Sequence, residues 1–142
     1  MLKQLLIIIL IISSQEFVRC YTIFPARYWI VIENDLSSSD LDVDCKNANL
    51  MLNLGTQHVS KKSDFNYTLV SSFFKNDLIL CYLTWSINHE KQVQISAFQN
   101  SRSFINHECG GRHCFWKVDD GGIYLYNIKH KTYNKWGDWP RK

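Results

Sequence analysis

The chain has 142 residues, 46% of them hydrophobic, 14% aromatic and 20% charged, with a formal net charge of +3. That is enough apolar material for one core of ordinary proportions, and it excludes a disordered chain. The weak basicity argues against nucleic acid or any other dominant polyanion as partner.

The first residues set the compartment. Lys3 supplies a positive start, Leu5 to Ile12 form an unbroken apolar run, and Ser13, Ser14, Gln15 and Glu16 end it. A bilayer span needs roughly 20 apolar residues, so this run reads as a secretory signal peptide and no stable membrane insertion is expected. Residues 1–20 are assigned to the signal peptide and 21–142 to a single secreted domain. Cleavage before Tyr21 removes Cys20 from an odd set of five cysteines, and loss of Lys3, Glu16 and Arg19 lowers the net charge from +3 to +2.

Beyond residue 20, alternation of apolar and polar residues recurs in short runs broken by Asn, Asp, Ser and Gly. In Leu41-Asp42-Val43-Asp44-Cys45-Lys46 the residues at 41, 43 and 45 share one face and the charged residues the other, as in a half-buried antiparallel strand. Similar segments run over 28–32, 50–54, 65–69, 78–85, 93–98, 114–118 and 123–128. Ser37-Ser38-Ser39-Asp40, Asn88-His89-Glu90-Lys91 and the hairpin signal Asp119-Asp120-Gly121-Gly122 separate neighbours. Seven to eight strands predict an all-β, two-sheet antiparallel sandwich. The segment from Tyr133 reads as a tail.

Four cysteines remain after cleavage: Cys45, Cys81, Cys109 and Cys114. They allow three pairings, among which sequence alone does not choose. A Cys109 to Cys114 bridge closes a tiny loop and restricts the unfolded chain least. The expectation is therefore long-range pairing, Cys45 with Cys114 and Cys81 with Cys109, where the loop-entropy model gives the first bridge about 4 kcal/mol. His107, Cys109, His113 and Cys114 are each possible zinc ligands, but an oxidising compartment favours disulfides, and no cofactor is expected.

No nucleophile and base, carboxylate pair or open metal site forms a recognisable constellation, so an enzyme is not expected. Trp85 and Trp116 share parity with neighbouring cysteines and belong to the core. Asn66-Tyr67-Thr68 is an N-glycosylation sequon with Asn66 facing away from the core. Recognition surfaces on sandwiches lie in end loops. The candidates are Ser86 to Gln92, with Asn88, His89 and Glu90, and Gln99 to Arg112, with Arg102, His107, Glu108 and Arg112. Trp136 is expected to cover one end of the core, and Trp139 is a candidate partner-binding residue.

Asn34-Asp35-Leu36, Cys45, Cys81-Tyr82-Leu83-Thr84-Trp85 and the stretch from Cys114-Phe115-Trp116 through Asp119-Asp120-Gly121-Gly122 to Tyr124 together resemble the plant self-incompatibility S1 family, the S-protein homologues. The resemblance spans about Tyr28 to Trp136. It implies a small secreted two-disulfide sandwich that acts as an extracellular ligand for a membrane receptor protein, as a monomer. The alternative readings are a carbohydrate or cell-wall-binding module built on the C-terminal aromatics and a secreted hydrolase using His107 or His113.

Overall fold

The computed structural model describes residues 25–72, 74–89 and 91–141. The expected signal peptide, its cleavage point and Cys20 lie outside the described residues, as does Glu90. Among the described residues nine strands form: β1 (Ala26–Asn34), β2 (Leu41–Asn47), β3 (Leu52–Val59), β4 (Asp64–Ser71), β5 (Leu78–Trp85), β6 (Gln92–Gln99), β7 (His113–Asp119), β8 (Gly122–Asn127) and β9 (Thr132–Gly137). They build a five-stranded sheet, β4-β1-β7-β8-β9, packed on a four-stranded sheet, β3-β2-β5-β6. This is the expected all-β sandwich. One pairing departs from antiparallel: β1 and β7 run parallel in register Ile30↔Cys114 and Ile32↔Trp116. A parallel pair needs a long crossover, and the chain makes several passes through the other sheet between these two strands.

The alternation read from sequence decides what faces inward. Ile30 and Ile32 of β1, Val43 and Cys45 of β2, Cys81 and Leu83 of β5, and Trp116 and Val118 of β7 are all buried. Burial of such side chains contributes about 1.5–3 kcal/mol each before entropy is counted. A bulge in β6 pairs Ile79 with Phe98 and Leu80 with Ser96, leaving Ala97 without a ladder partner. The Ala97 carbonyl instead accepts a 3.0 Å hydrogen bond from the Trp116 indole, so the irregular point of one sheet is satisfied by the core tryptophan of the other.

Three expectations need correction. Residues 132–137 are a ninth strand, not a tail, because Tyr124 to Asn127 on β8 offer them a ladder. β3 extends over Leu52–Val59, beyond the expected 50–54; it is an edge strand whose residues are mostly exposed, so no alternation marks it. The disulfides pair Cys45 with Cys81 and Cys109 with Cys114, against the expected long-range pairing. Loop entropy concerns the unfolded chain, whereas native register decides which sulfurs meet. Cys45 lies directly across from Cys81 on β2 and β5, with Cα atoms 4.1 Å apart.

Cys109 ends a π-helical turn, Phe104–Cys109, after which Gly110 reverses the chain at φ +71° and brings Cys114 within 5.0 Å. A Cβ at Gly110 would lie 2.7 Å from Asn127 Oδ1 and from the Lys129 amide, so only glycine fits. The two bridges close loops with separations of 36 and 5 residues. Loop entropy then assigns them about 4 and about 2 kcal/mol. Replacing Cys45 and Cys81 together by alanine should cost about twice as much in urea unfolding as replacing Cys109 and Cys114; equal losses would show that strand geometry outweighs loop length.

Candidate functional site

One end of the sandwich gathers the described residues of five connections: 35–40, 60–63, 86–89 with 91, 120–121 and the segment 138–141 after β9. Its hub is Asn34, buried at the end of β1. The side-chain amide donates to the Val59 carbonyl at 2.9 Å and the Ser39 carbonyl at 3.2 Å, and its oxygen accepts from the Leu36 amide at 3.1 Å. Those bonds join β1 of one sheet to β3 of the other and place Leu36 in the core. The Asp35 amide donates to Val118, and the Asp120 carboxylate accepts from the Ser37 amide at 3.0 Å. Bonds from the Ser37 side chain and amide hold the Asp120 carboxyl below the usual carboxylate range.

A charged clamp sits beside this hub. Register places Asp42 of β2 opposite His58 of β3. His58 Nδ1 lies 2.7 Å from Asp42, and its Nε2 lies 3.0 Å from Asp40, which also accepts the Lys61 amide at 2.9 Å. The Asp42 and Asp40 hydrogen bonds raise the imidazole above its ordinary 6.5. The Lys61 amide, then His58, lowers Asp40 below its ordinary 3.8. The Ser86 hydroxyl lies 3.5 Å from the same Nδ1. When protonated, the ring donates to both carboxylates and ties Asp40 of the β1–β2 connection and Asp42 of β2 to β3, so the cluster fastens this end of the sandwich together. None of these residues stood out in the sequence, because the β2–β3 register that brings them together is not readable there.

The loop 86–91 is fixed at both ends: the Ser86 amide donates to Asp40, and the Trp85 amide to Lys91. Lys91 Nζ stands 4.0 Å over the Trp85 ring, and Trp85 meets Trp139 edge-on at 5.5 Å. Asn88 is half-buried and His89 exposed. Asn88, Lys91, Asp120, Asp138, Trp139 and Arg141 line a cleft of about 570 Å³ with charges of both signs. Trp139, one of the partner-binding candidates, is buried instead of displayed, and its indole donates to the Asp119 carbonyl at 2.8 Å. Trp136 packs on Trp116 and Phe104 as expected, with 40% of its surface still exposed.

The second candidate loop lies at the opposite end, because Leu78↔Gln99 and Thr84↔Gln92 mark the two ends of the β5–β6 pair. It is a braced element: buried Phe104 anchors the π-helical turn and the disulfide closes it. Arg102, His107 and Arg112 are exposed there and Glu108 is half-buried. With Cys109 and Cys114 bonded to each other, neither sulfur is a thiolate ligand beside His107 and His113. The two loops therefore form two separate surfaces. Asn66 is exposed on the edge strand β4, with its amide 2.8 Å from Asp64.

Fold and surface together define a disulfide-braced sandwich that displays connections from rigid ends. Residues 29–139 match the family model for plant self-incompatibility protein S1, and the chain belongs to that family. A solved self-incompatibility protein homologue, described as one of a widespread family of small, highly stable, secreted proteins from plants, is similar in fold. It matches with a TM-score of 0.56 at 17% identity, covering 81% of this chain and 96% of that one. No match is found among curated proteins. The family is one of small secreted plant proteins.

The clamp has a pH signature. A group whose value is raised on folding contributes stability that is complete below its unfolded value, near 6.5, and lost as pH rises through the folded one. The melting temperature should therefore fall as pH rises above about 6.5, and His58→Asn should flatten that slope. An unchanged slope in the variant would show that the imidazole is not held by Asp40 and Asp42 in solution.

Proposed function

We propose that the chain, cleaved before Tyr21, is an extracellular ligand that binds a cell-surface receptor protein by surface complementarity, as a monomer and without chemistry of its own. The observation that carries this reading is the position of Ile87. Its side chain is 74% exposed on a loop whose backbone is fixed by Asp40 and Ser39. Around it stand Ser38, Asp40 and Lys61 on one side and the mixed-charge cleft on the other. An exposed apolar side chain on hydrogen-bonded backbone with a polar rim fits a protein-recognition patch, where ordered backbone limits the entropy lost on docking. His89, from the sequence-derived candidates, belongs to this end; Arg102, His107 and Arg112 belong to the other.

The test is binding of the labelled secreted protein to plasma-membrane vesicles from plant cells. Binding should be saturable and abolished by protease treatment of the vesicles. Ile87→Asp should weaken it about tenfold or more, and the double variant Arg102→Ala, Arg112→Ala at the far end should bind as the wild type does. Protease-insensitive binding, or an Ile87→Asp protein of normal affinity, overturns the reading. Retention on wall polysaccharide in place of membranes would support the carbohydrate-binding function, for which the C-terminal rings are poorly placed: Trp139 is buried and Trp136 packs on core aromatics.

A further inference from the structure

The outer faces of the two sheets differ in chemistry. On the four-stranded sheet most outward positions are polar, Asp42, Asp44, Lys46, Thr84, Gln94 and Ser96, with Leu80 and Tyr82 among them. On the five-stranded sheet the outward positions include Trp29, Val31, His113, Phe115, Tyr126 and Tyr133. The rings touch one another: Trp29 stacks on His113 at 4.4 Å, His113 on Phe115 at 5.7 Å, and Tyr126 meets Tyr133 at 4.9 Å. Two groups of rings thus share one outer face, with Lys117 over Tyr133 beside them, and such a face on a secreted protein marks an interaction site.

What covers it can be read from the register. Val31, Phe115, Tyr126 and Tyr133 are cross-strand neighbours in a single row over four strands, and the fifth member of that row, on edge strand β4, is Asn66. The next row reads Thr68, Trp29, His113. The two residues that define the sequon, Asn66 and Thr68, thus sit directly across from Val31 and Trp29 and point to the same side as the aromatic face. His113 occupies one face of the Trp29 indole, and the opposite face lies on the β4 side. Strands are about 4.8 Å apart, so Phe115 is only about 10 Å from Asn66. The first sugar of an N-glycan is a pyranose with an apolar C–H face suited to an aromatic ring and polar edges suited to water. Its attachment to the extended chain before folding is not hindered by a later strand position.

We propose that an N-glycan on Asn66 lies back across the aromatic face of the five-stranded sheet, with its first N-acetylglucosamine packed on Trp29 and Val31. This rests on the reading of Asn66 as N-glycosylated. The sugar would cover surface that the polypeptide leaves bare, and it would block strand addition at the open edge of β4. The aromatic face is then closed to protein partners, and recognition falls to the loop ends.

The experiment uses the full chain secreted from eukaryotic cells, beside Thr68→Ala, which removes the sequon while keeping Asn66 and Trp29. Peptide mass mapping comes first: an unmodified Asn66 overturns both the modification and the packing. On the occupied protein, trimmed to a single N-acetylglucosamine, NMR should show contacts between the sugar protons and the Trp29 indole, assigned with Trp29→Phe. Its melting temperature should exceed that of Thr68→Ala by roughly 3–5 °C. An occupied Asn66 whose sugar protons show no contact with Trp29, with both proteins melting together, leaves the modification standing and overturns the proposed packing.

Discussion

The side-chain amide of Asn34 is where the two sheets and the loop end are made into one object. It is buried, so each of its polar atoms must be satisfied within the protein, and the partners it finds come from β3, from the β1–β2 connection and from Leu36 two residues on. A buried amide left unpaired costs about 1–3 kcal/mol. Loop arrangements that move Ser39 or Val59 away from it are therefore disfavoured. The outer clamp of Asp40, His58 and Asp42 can be exposed and still orderly because its backbone is already placed by this buried group. A fixed backbone in turn lets Ile87 stay exposed without collapsing into its surroundings.

Much of the fold was legible because a half-buried strand writes its orientation into alternate residues. Leu41, Val43 and Cys45 illustrate this, and so does the hairpin at Asp119-Asp120-Gly121-Gly122, whose end residues pair as Asp119↔Gly122. Where a strand is exposed on both sides, as β3 is, or where aromatics and lysines alternate on an edge, as in β9, the same signal vanishes. Trp139 was misplaced for a related reason. Composition says that an indole near a terminus follows several cations, but only tertiary structure says that Trp85 and the Asp119 carbonyl are waiting for it.

The candidate site was half legible. The sequence marked both loops, since turn residues and charges cluster there, but it could not say that they lie at opposite ends. The disulfides failed for the same reason as the clamp: each depends on which residue of one strand faces which residue of another. Spacing along the chain carries no information about that. Asn34, Leu36 and Trp116 belong to the stretches that resemble the S1 family, and the structure supplies physical reasons for those stretches. Asn34 satisfies the loop end, Leu36 plugs the core and Trp116 bonds across the sheets at the β6 bulge.

Both disulfides stay within a layer: Cys45–Cys81 joins neighbouring strands of the four-stranded sheet, and Cys109–Cys114 staples the turn that leads into β7. The two layers are thus held to each other by packing and hydrogen bonds, and the end that carries Ile87 has no covalent cross-link among its described residues. That end is an exchangeable cassette. What has to be kept there is Asn34 with the Ser39 carbonyl, Leu36 and Trp139; the exposed positions around Ile87 are tied to neither disulfide, so their side chains can be recoded without touching the sulfur pairing.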